Sequence, residues 1–177
     1  PEASFVGTAR PVTYTISDAL DQVSTTTYTP TVNAATPPTA DPETTSGPKG
    51  AAQTIDLLPG DATAAAGITL DPTSVRLCPA ATTTPQTTTA CTLTTLTVTG
   101  VGTYVVLNGV MTFTPEPNYV GTPPPVVYQV TDSVGGKASS TYTPTVIAPP
   151  TLIPDTSTGP WDTNQTRDVV SNNVNTG

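Results

Sequence analysis

Two cysteines, Cys78 and Cys91, are the residues whose type and spacing point most directly to chemistry. Twelve residues separate them, and each lies near the end of a predicted strand. In an oxidising environment such a pair is expected to form an intramolecular disulfide, which would stabilise the fold by about 3 kcal/mol. Two free buried thiols and a disulfide between chains are the alternatives. A zinc site is disfavoured, because two thiols without histidine fall short of four ligands.

The other polar residues offer little for catalysis. The chain has no histidine, which rules out Ser-His-Asp and Cys-His nucleophilic sites. Glycoside hydrolysis would need two carboxyl groups that face each other. Glu2 and Glu116 occupy the same position in two copies of an internal repeat, so we expect them to lie a domain apart. The sequence therefore predicts no enzyme activity and no cofactor.

Four aspartates recur at equivalent places and raise the question of calcium. Asp18 and Asp132 precede predicted hairpin turns, and Asp41 and Asp155 lie beside predicted linkers. A calcium ion needs six to eight oxygen ligands, and no dense run of aspartates supplies them. Capping of turn amides by the carboxylates is the favoured interpretation, so no metal site is predicted.

A threonine-rich stretch, Thr82–Thr92, covers most of the segment between the cysteines, ends one residue after Cys91 and includes Pro85. This composition is typical of segments that carry O-linked sugars. The candidate acceptors are Thr87, Thr88 and Thr89. A polar loop that only binds water is the equally weighted alternative. Asn164 begins a single Asn-Gln-Thr motif for N-glycosylation.

The charge balance limits the classes of partner. Thirteen acidic residues against five basic ones give a formal net charge of −8. Nucleic acid would be repelled by such a surface, so no nucleic-acid partner is expected. No apolar run approaches the roughly 20 residues of a membrane-spanning helix, and no membrane insertion of this segment is predicted.

The most informative feature is an internal repeat. The segment Pro1–Thr8 returns in altered form as Pro115–Thr122, and Thr27–Val32 returns unchanged as Thr141–Val146. A second block follows, in which Gly-Pro and Gln-Thr at 47–48 and 53–54 return at 159–160 and 165–166. The offset is 114 in the first block and 112 in the second, which is the size of an independent domain. The predicted division is the C-terminal part of a repeat at 1–35, a complete repeat at 36–149 and the N-terminal part of a third at 150–177.

Alternation of apolar and polar residues predicts an all-β fold. Asn108-Gly109 is the typical signal of a two-residue type I′ hairpin, and Gly135-Gly136 predicts a second hairpin. Short strands separated by turns favour an Ig-like β-sandwich. The predicted strands are Thr54–Leu58, Ile68–Leu70, Val75–Cys78, Cys91–Val98, Tyr104–Leu107, Val110–Thr114, Val126–Thr131 and Ala138–Val146.

The linkers between the predicted repeats are rich in proline. Ala34–Pro42 and its counterpart Ile147–Pro154 are expected to adopt extended polyproline II conformation and to act as semi-rigid spacers. The fold class that follows is a tandem array of β-sandwich repeat domains joined by Pro-rich linkers.

Several motifs together resemble the CshA-type fibril repeat of bacterial cell-surface adhesins. They are Gly47-Pro48 with Gln53-Thr54, Leu70–Val75, Val98–Tyr104, Met111–Pro115, Val126–Asp132 and Tyr142–Val146. The resemblance implies β-rich domains repeated many times in a secreted, surface-anchored protein, with the repeats forming the shaft and a separate tip adhering. Two departures are a Leu58–Asp61 segment that reads Leu-Pro-Gly-Asp where the family has Leu-x-Asn-Asp, and the cysteines in the threonine-rich insert.

The resulting expectation is a structural module of an extracellular, cell-surface fibril. Its expected partners are copies of itself along or beside the fibril, with glycans or other cells bound by a tip outside this chain. One alternative is a carbohydrate- or cell-binding module, for which Trp161 could stack on sugar, although packing of Trp161 against its own linker is favoured. The other alternative is a small subunit of a non-covalent filament.

Overall fold

The computed structural model of the chain describes residues 5–34, 36–58, 62–63 (backbone only) and 67–171. The chain divides into two compact units, residues 1–36 and 37–177, and each is considered by itself.

The first unit is built from two antiparallel strand pairs. The strands are β1 (Gly7–Thr8), β2 (Val12–Ser17), β3 (Val23–Tyr28) and β4 (Thr31–Val32). β2 and β3 form a hairpin whose residues are all exposed, and β1 pairs with β4. Asp18 closes the hairpin turn, because its Oδ1 accepts hydrogen bonds from the amides of Leu20 and Gln22 at 2.8 and 2.9 Å.

The second unit holds two four-stranded sheets arranged as a sandwich, and a small strand pair. The strands are β5 (Thr39–Ala40), β6 (Glu43–Pro48), β7 (Gln53–Asp56), β8 (Ala62–Thr63), β9 (Arg76–Leu77), β10 (Thr95–Val98), β11 (Gly102–Leu107), β12 (Val110–Pro115), β13 (Val126–Thr131) and β14 (Lys137–Ile147). The sheet orders are β10-β11-β12-β7 and β6-β14-β13-β9, and the small pair is β5-β8. A short 3₁₀ turn spans Pro72–Ser74.

The core lies between the two sheets and is centred on aromatic residues. The Tyr104 ring of β11 lies 4.7 Å from that of Phe113 on β12 and 6.2 Å from that of Tyr142 on β14, where it packs edge-on. All three side chains are fully buried. Removal of such a side chain from water contributes about 1.5–3 kcal/mol, so this cluster supplies much of the contact between the sheets.

The hairpin β11–β12 turns at Asn108-Gly109, as the sequence predicts. The φ angles of these residues are 49° and 83°, the left-handed values that a type I′ turn requires at both central positions. The Gly109 carbonyl also accepts a hydrogen bond from the Leu57 amide at 2.9 Å. The turn therefore also anchors the residue that follows β7.

Strand β14 tolerates Pro144 in its interior because of how its two sides are used. Pairing with β13 ends at Tyr142, and on that side the backbone is next bonded at Val146, which exchanges two hydrogen bonds of 2.9 Å with Gly121. Strand residues alternate in the direction of their backbone groups, so Pro144 faces the same side as Val146. A residue without N–H fits there, since no strand pairs with that position.

Three sequence expectations on strands and linkers are corrected by the structure. The linker expected as polyproline II contains β5, which pairs with β8. Ile68–Leu70 forms no strand, only an isolated bridge from Leu70 to Asp132. Strand β6 was not predicted, because Glu43–Pro48 has no apolar residue and its partner β14 is about 100 residues away in sequence. The pattern of residues gives no signal for such a distant parallel pairing.

Candidate functional site

The cysteine pair lies beside β13. Cys78 and Cys91 are joined by a disulfide with their Cα atoms 4.3 Å apart, and both are buried. The loop between them is also held by β13, since Gln129 Nε2 donates to the carbonyls of Gln86 and Thr89 at 3.0 and 3.1 Å. The threonine-rich segment is therefore tied at its ends by the disulfide and in its middle by a buried amide.

The candidate sugar acceptors are accessible. Thr87, Thr88 and Thr89 are exposed on this tethered loop, and Asn164 is exposed in the segment after β14. Accessibility is required for modification, and glycosylation of these residues remains a prediction.

Two of the four aspartates expected to cap turn amides, Asp18 and Asp132, do so. Asp132 Oδ1 accepts hydrogen bonds from the amides of Val134 and Gly136 at 3.0 and 2.7 Å, which repeats the arrangement at Asp18. Its Oδ2 is buried without a hydrogen-bond partner. Across residues 5–34, 36–58 and 67–171, no group of three or more acidic or cysteine side chains is placed to hold a metal ion.

The other single residues considered in the sequence have different environments. Glu116 Oε1 accepts a hydrogen bond from the Gly100 amide at 2.9 Å, and Glu2 lies outside the described residues. Asp155 forms an ion pair with Arg167 at 3.0 Å. Trp161 is 91% exposed, so the favoured expectation that it packs against its own linker is wrong.

A polar network joins the first and last long strands of the complete repeat. Tyr142 Oη lies 2.6 Å from Thr45 Oγ1, which donates to Gln53 Oε1 at 2.5 Å. Gln53 Nε2 in turn donates to the Thr145 carbonyl at 3.0 Å. The network therefore begins and ends on β14 and passes through β6 and β7. We call these four residues, Thr45, Gln53, Tyr142 and Thr145, the strand-joining network.

The recurring Gly-Pro and Gln-Thr motif has a packing reason. A Cβ on Gly47 would lie 3.0 Å from Gln53 Cγ, so the glycine lets the glutamine side chain cross over β6 to reach β14. The same pair recurs as Gly159 and Gln165, where a Cβ on the glycine would again meet the glutamine side chain. The sequence shows the recurrence of this motif, and the structure gives its cause.

The buried tyrosines differ in how their hydroxyls are satisfied. Burial raises the pKa of Tyr104 and of Tyr142, because the phenolate would lose its hydration. The hydrogen bond to Thr45 opposes that rise in the pKa of Tyr142. Tyr104 Oη is buried without a partner. Tyr142 is therefore a polar contact of the network, whereas Tyr104 acts as an apolar core residue.

Sequence reasoning named the residues of the Gly-Pro and Gln-Thr motif but assigned them no role, and it missed Thr45 altogether. A signal was present, because Thr45 corresponds to Ser157 at the offset of 112 and a hydroxyl is kept at both positions. Without the pairing of β6 with β14, nothing in the sequence links that hydroxyl to Tyr142.

The fold and the disulfide define an all-β sandwich domain that carries repeat motifs along its strands. The family described as "Surface adhesin CshA repetitive domain" matches residues 35–146. The chain belongs to this CshA repeat family, and the match covers most of it.

No curated protein matches the chain. One similar solved structure is the crystal structure of Down Syndrome Cell Adhesion Molecule (DSCAM) isoform 1.30.30, N-terminal eight Ig domains, at 9% identity and a TM-score of 0.38. The similarity covers 82% of this chain and 22% of that one, so the chain spans less than a quarter of its length. Within the described residues, no helix is long and apolar enough to cross a membrane.

Proposed function

We propose that this chain is a structural repeat module in the shaft of an extracellular cell-surface fibril. Family membership supports a surface adhesin repeat. The observation that carries the proposal is that strands buried in the complete repeat recur, exposed, in an incomplete second copy. Such a chain is explained most simply as part of a tandem array.

The hairpin β2–β3 is the repeat equivalent of β13–β14. Val12 is 61% exposed, whereas its counterpart Val126 is 6% exposed, and Ile16 at 66% corresponds to Val130 at 0%. The exposed Tyr28 corresponds to the fully buried Tyr142. These differences support the interpretation of residues 1–35 as the C-terminal part of a repeat that lacks the facing sheet.

The segment after β14 supports the same interpretation. At the offset of 112, Val169 corresponds to Leu57, which follows β7 in the complete repeat. Leu57 is fully buried, whereas Val169 is 59% exposed. Residues 150–177 thus fit the start of a further repeat that lacks its remaining strands.

An extracellular location is supported by the disulfide, because such bonds persist in oxidising compartments. The function requires no catalytic group, and the strand-joining network connects β6, β7 and β14, as a structural role requires. We propose copies of the repeat as its partners, with contact to glycans or other cells made by a tip outside this chain.

The decisive experiment is the intact mass of the native material under denaturing conditions, with and without reductant. A shaft predicts a species of several hundred kilodaltons whose chain length does not change on reduction. A species near the 18.0 kDa of this chain would overturn the shaft. It would favour small subunits of a non-covalent filament, for which the exposed apolar side of β2–β3 offers a surface to be completed by another copy.

A carbohydrate- or cell-binding module is the other candidate. It would be tested by binding of the recombinant chain to a glycan array, with the Trp161→Ala variant as comparison. Loss of binding in that variant would support recognition by the 91% exposed indole. Absence of binding by both proteins would favour the structural role.

A further inference from the structure

The strands at the two ends of the complete repeat lie side by side and run in the same direction. β6 pairs in parallel with the second half of β14, in a register that runs from Tyr142 opposite Glu43 to Ile147 opposite Pro48. This is the single parallel pairing among the strands described in the structure. The other described pairs are antiparallel.

Parallel pairing decides how tension reaches this strand pair. A pull on the chain enters β6 at Glu43 and leaves β14 at Ile147. Because Glu43 lies opposite Tyr142, and Ile147 opposite Pro48, the two points of force are at opposite ends of the pair. The strands are therefore pulled past each other along their length, and the hydrogen bonds between them share the force. In an antiparallel hairpin pulled at its open end, the same bonds would break one after another.

We infer that β6 and β14 form a mechanical clamp by which each repeat resists tension along the fibril. The inference rests on the proposed position of the repeat in a shaft. It adds a second function to that of a spacer: the repeat keeps its fold while a bound tip is pulled away from the cell.

The strand-joining network reinforces the clamp across its length. Thr45, in the middle of β6, is bonded to Tyr142 at the start of the paired segment, and Gln53 is bonded to Thr145 near its end. Past the end of β6, the Lys49 amide donates to the Ile147 carbonyl at 2.9 Å. Sliding of β6 along β14 therefore has to break side-chain bonds together with the ladder.

The opposite side of β14 is also held at the point where force leaves it. Val146 and Gly121 exchange two backbone hydrogen bonds of 2.9 Å. On the N-terminal side of this bridge, β13 pairs with β14 from Lys137 to Tyr142. The strand that carries the force is thus held on both of its sides.

The residues of the clamp recur in the partial repeats. Tyr28 and Thr31 stand at the positions of Tyr142 and Thr145, and Ser157 and Gln165 stand at those of Thr45 and Gln53. Every side-chain hydrogen-bonding group of the network is kept. A tandem array would then present the same clamp at each repeat.

The test is single-molecule force spectroscopy of the full 177-residue chain in two pulling directions. With handles at the two chain ends, the clamp is sheared. With one handle at the N-terminal end and the other at Val134, in the turn before β14, force acts at the same end of both strands and peels them apart. The clamp predicts an unfolding force several-fold higher in the first direction. Equal forces in the two directions would overturn it without any need for a variant.

A matched pair of substitutions tests the network. Thr45→Val removes the hydroxyl that joins Tyr142 to Gln53, and Thr97→Val removes one that lies 3.2 Å from the Thr103 hydroxyl in the β10–β11 pair. Thr45→Val is expected to raise the unfolding rate under end-to-end tension several-fold, and more than it raises the rate under peeling. Thr97→Val is expected to change neither. If Thr45→Val raises the unfolding rate equally in both pulling directions, the network stabilises the fold in general and does not reinforce the clamp.

The length released identifies the event. Unfolding of residues 43–147 should lengthen the molecule by about 350 Å after reduction, because about 370 Å of chain at about 3.5 Å per residue replaces a folded separation of about 20 Å between Glu43 and Ile147. With the disulfide intact, its loop of sequence separation 13 stays closed and about 45 Å less is released. If the native protein is a long covalent chain but the repeat unfolds at low force, the proposed clamp is wrong and the proposed shaft stands. If the repeat unfolds at high force but the native protein has a mass of 18.0 kDa, the clamp stands and the shaft is wrong.

Discussion

Tyr142 Oη and Thr45 Oγ1 lie 2.6 Å apart although 97 positions separate the two residues in the chain. This contact closes the repeat on itself, because it joins the first long strand of the domain, β6, to its last strand, β14. Its energetic value follows from burial: a hydroxyl removed from water needs a partner, and the two groups satisfy each other.

The buried tyrosines should respond oppositely to loss of their hydroxyls. Tyr142→Phe leaves Thr45 without its donor and should lower the free energy of unfolding by about 1–2 kcal/mol. Tyr104→Phe removes a buried hydroxyl that has no partner, so it should leave stability unchanged or raise it by about 1 kcal/mol. Urea unfolding of the two variants checks this. A loss in Tyr104→Phe equal to that in Tyr142→Phe would contradict it.

Stability should decline in alkaline solution. The pKa of Tyr104 and of Tyr142 is raised above the model-peptide value of 10.0 by burial. The native state therefore keeps protons that the unfolded chain releases, so the contribution of these two tyrosines to the free energy of unfolding is fully present below about pH 10 and is lost as pH rises further. Urea midpoints measured between about pH 8 and 11 should show this, and a variant with phenylalanine at both positions should show a smaller decline. If that variant loses as much stability at high pH as the original chain, Tyr104 and Tyr142 are not the cause of the decline.

Gly100 in the β10–β11 turn and Gly102 at the start of β11 should differ in their tolerance of alanine. A Cβ on Gly102 would collide with the Thr114 carbonyl and the Phe113 ring, whereas a Cβ on Gly100 would meet open space. Both have positive φ, so either alanine costs about 1 kcal/mol in backbone strain. Gly102→Ala should cost several kcal/mol in total, because a backbone atom must also move. Thermal unfolding of the two variants gives the comparison, and similar losses would refute the collision.

The disulfide should stabilise the complete repeat. Replacement of Cys78 and Cys91 by serine should lower the free energy of unfolding by about 3 kcal/mol, because the loop is no longer closed in the unfolded chain. The hydrogen bonds from Gln129 to the loop remain in the serine variant. The control is Gln129→Leu, which removes those bonds and keeps the disulfide. An unchanged stability in the serine variant would show that packing alone holds the loop.

Equivalent positions of the two repeats should tolerate a charge differently. Val130→Asp places a carboxylate in the closed core and should prevent folding of the complete repeat. Ile16→Asp makes the same change at a side chain that is 66% exposed. It should change the free energy of unfolding of the complete repeat by no more than about 0.5 kcal/mol. Circular dichroism and urea unfolding of both variants of this chain check the contrast. If Ile16→Asp unfolds the repeat as well, the hairpin contributes to its stability.

Local pattern predicted the strands whose partners are close in sequence. β11, β12, β13 and β14 were predicted within a residue or two, because alternation and the turn residues Asn108-Gly109 and Gly135-Gly136 act over a few positions. Trp161 shows the limit of such reasoning: an aromatic residue beside prolines suggested packing, yet its side chain is 91% exposed.

The sequence by itself determined the repeat, the family and the all-β class, because these depend on residue identity and on periodicities of two residues and of about 113. Only the tertiary structure decided that Glu43–Pro48 is a strand, that it runs parallel to β14, and that Thr45 and Gln53 are bonded to Tyr142 and Thr145. Glu43–Pro48 contains no apolar alternation. Its conformation is set by backbone hydrogen bonds to a strand about 100 residues later, a partner that comes into reach only when the sandwich closes.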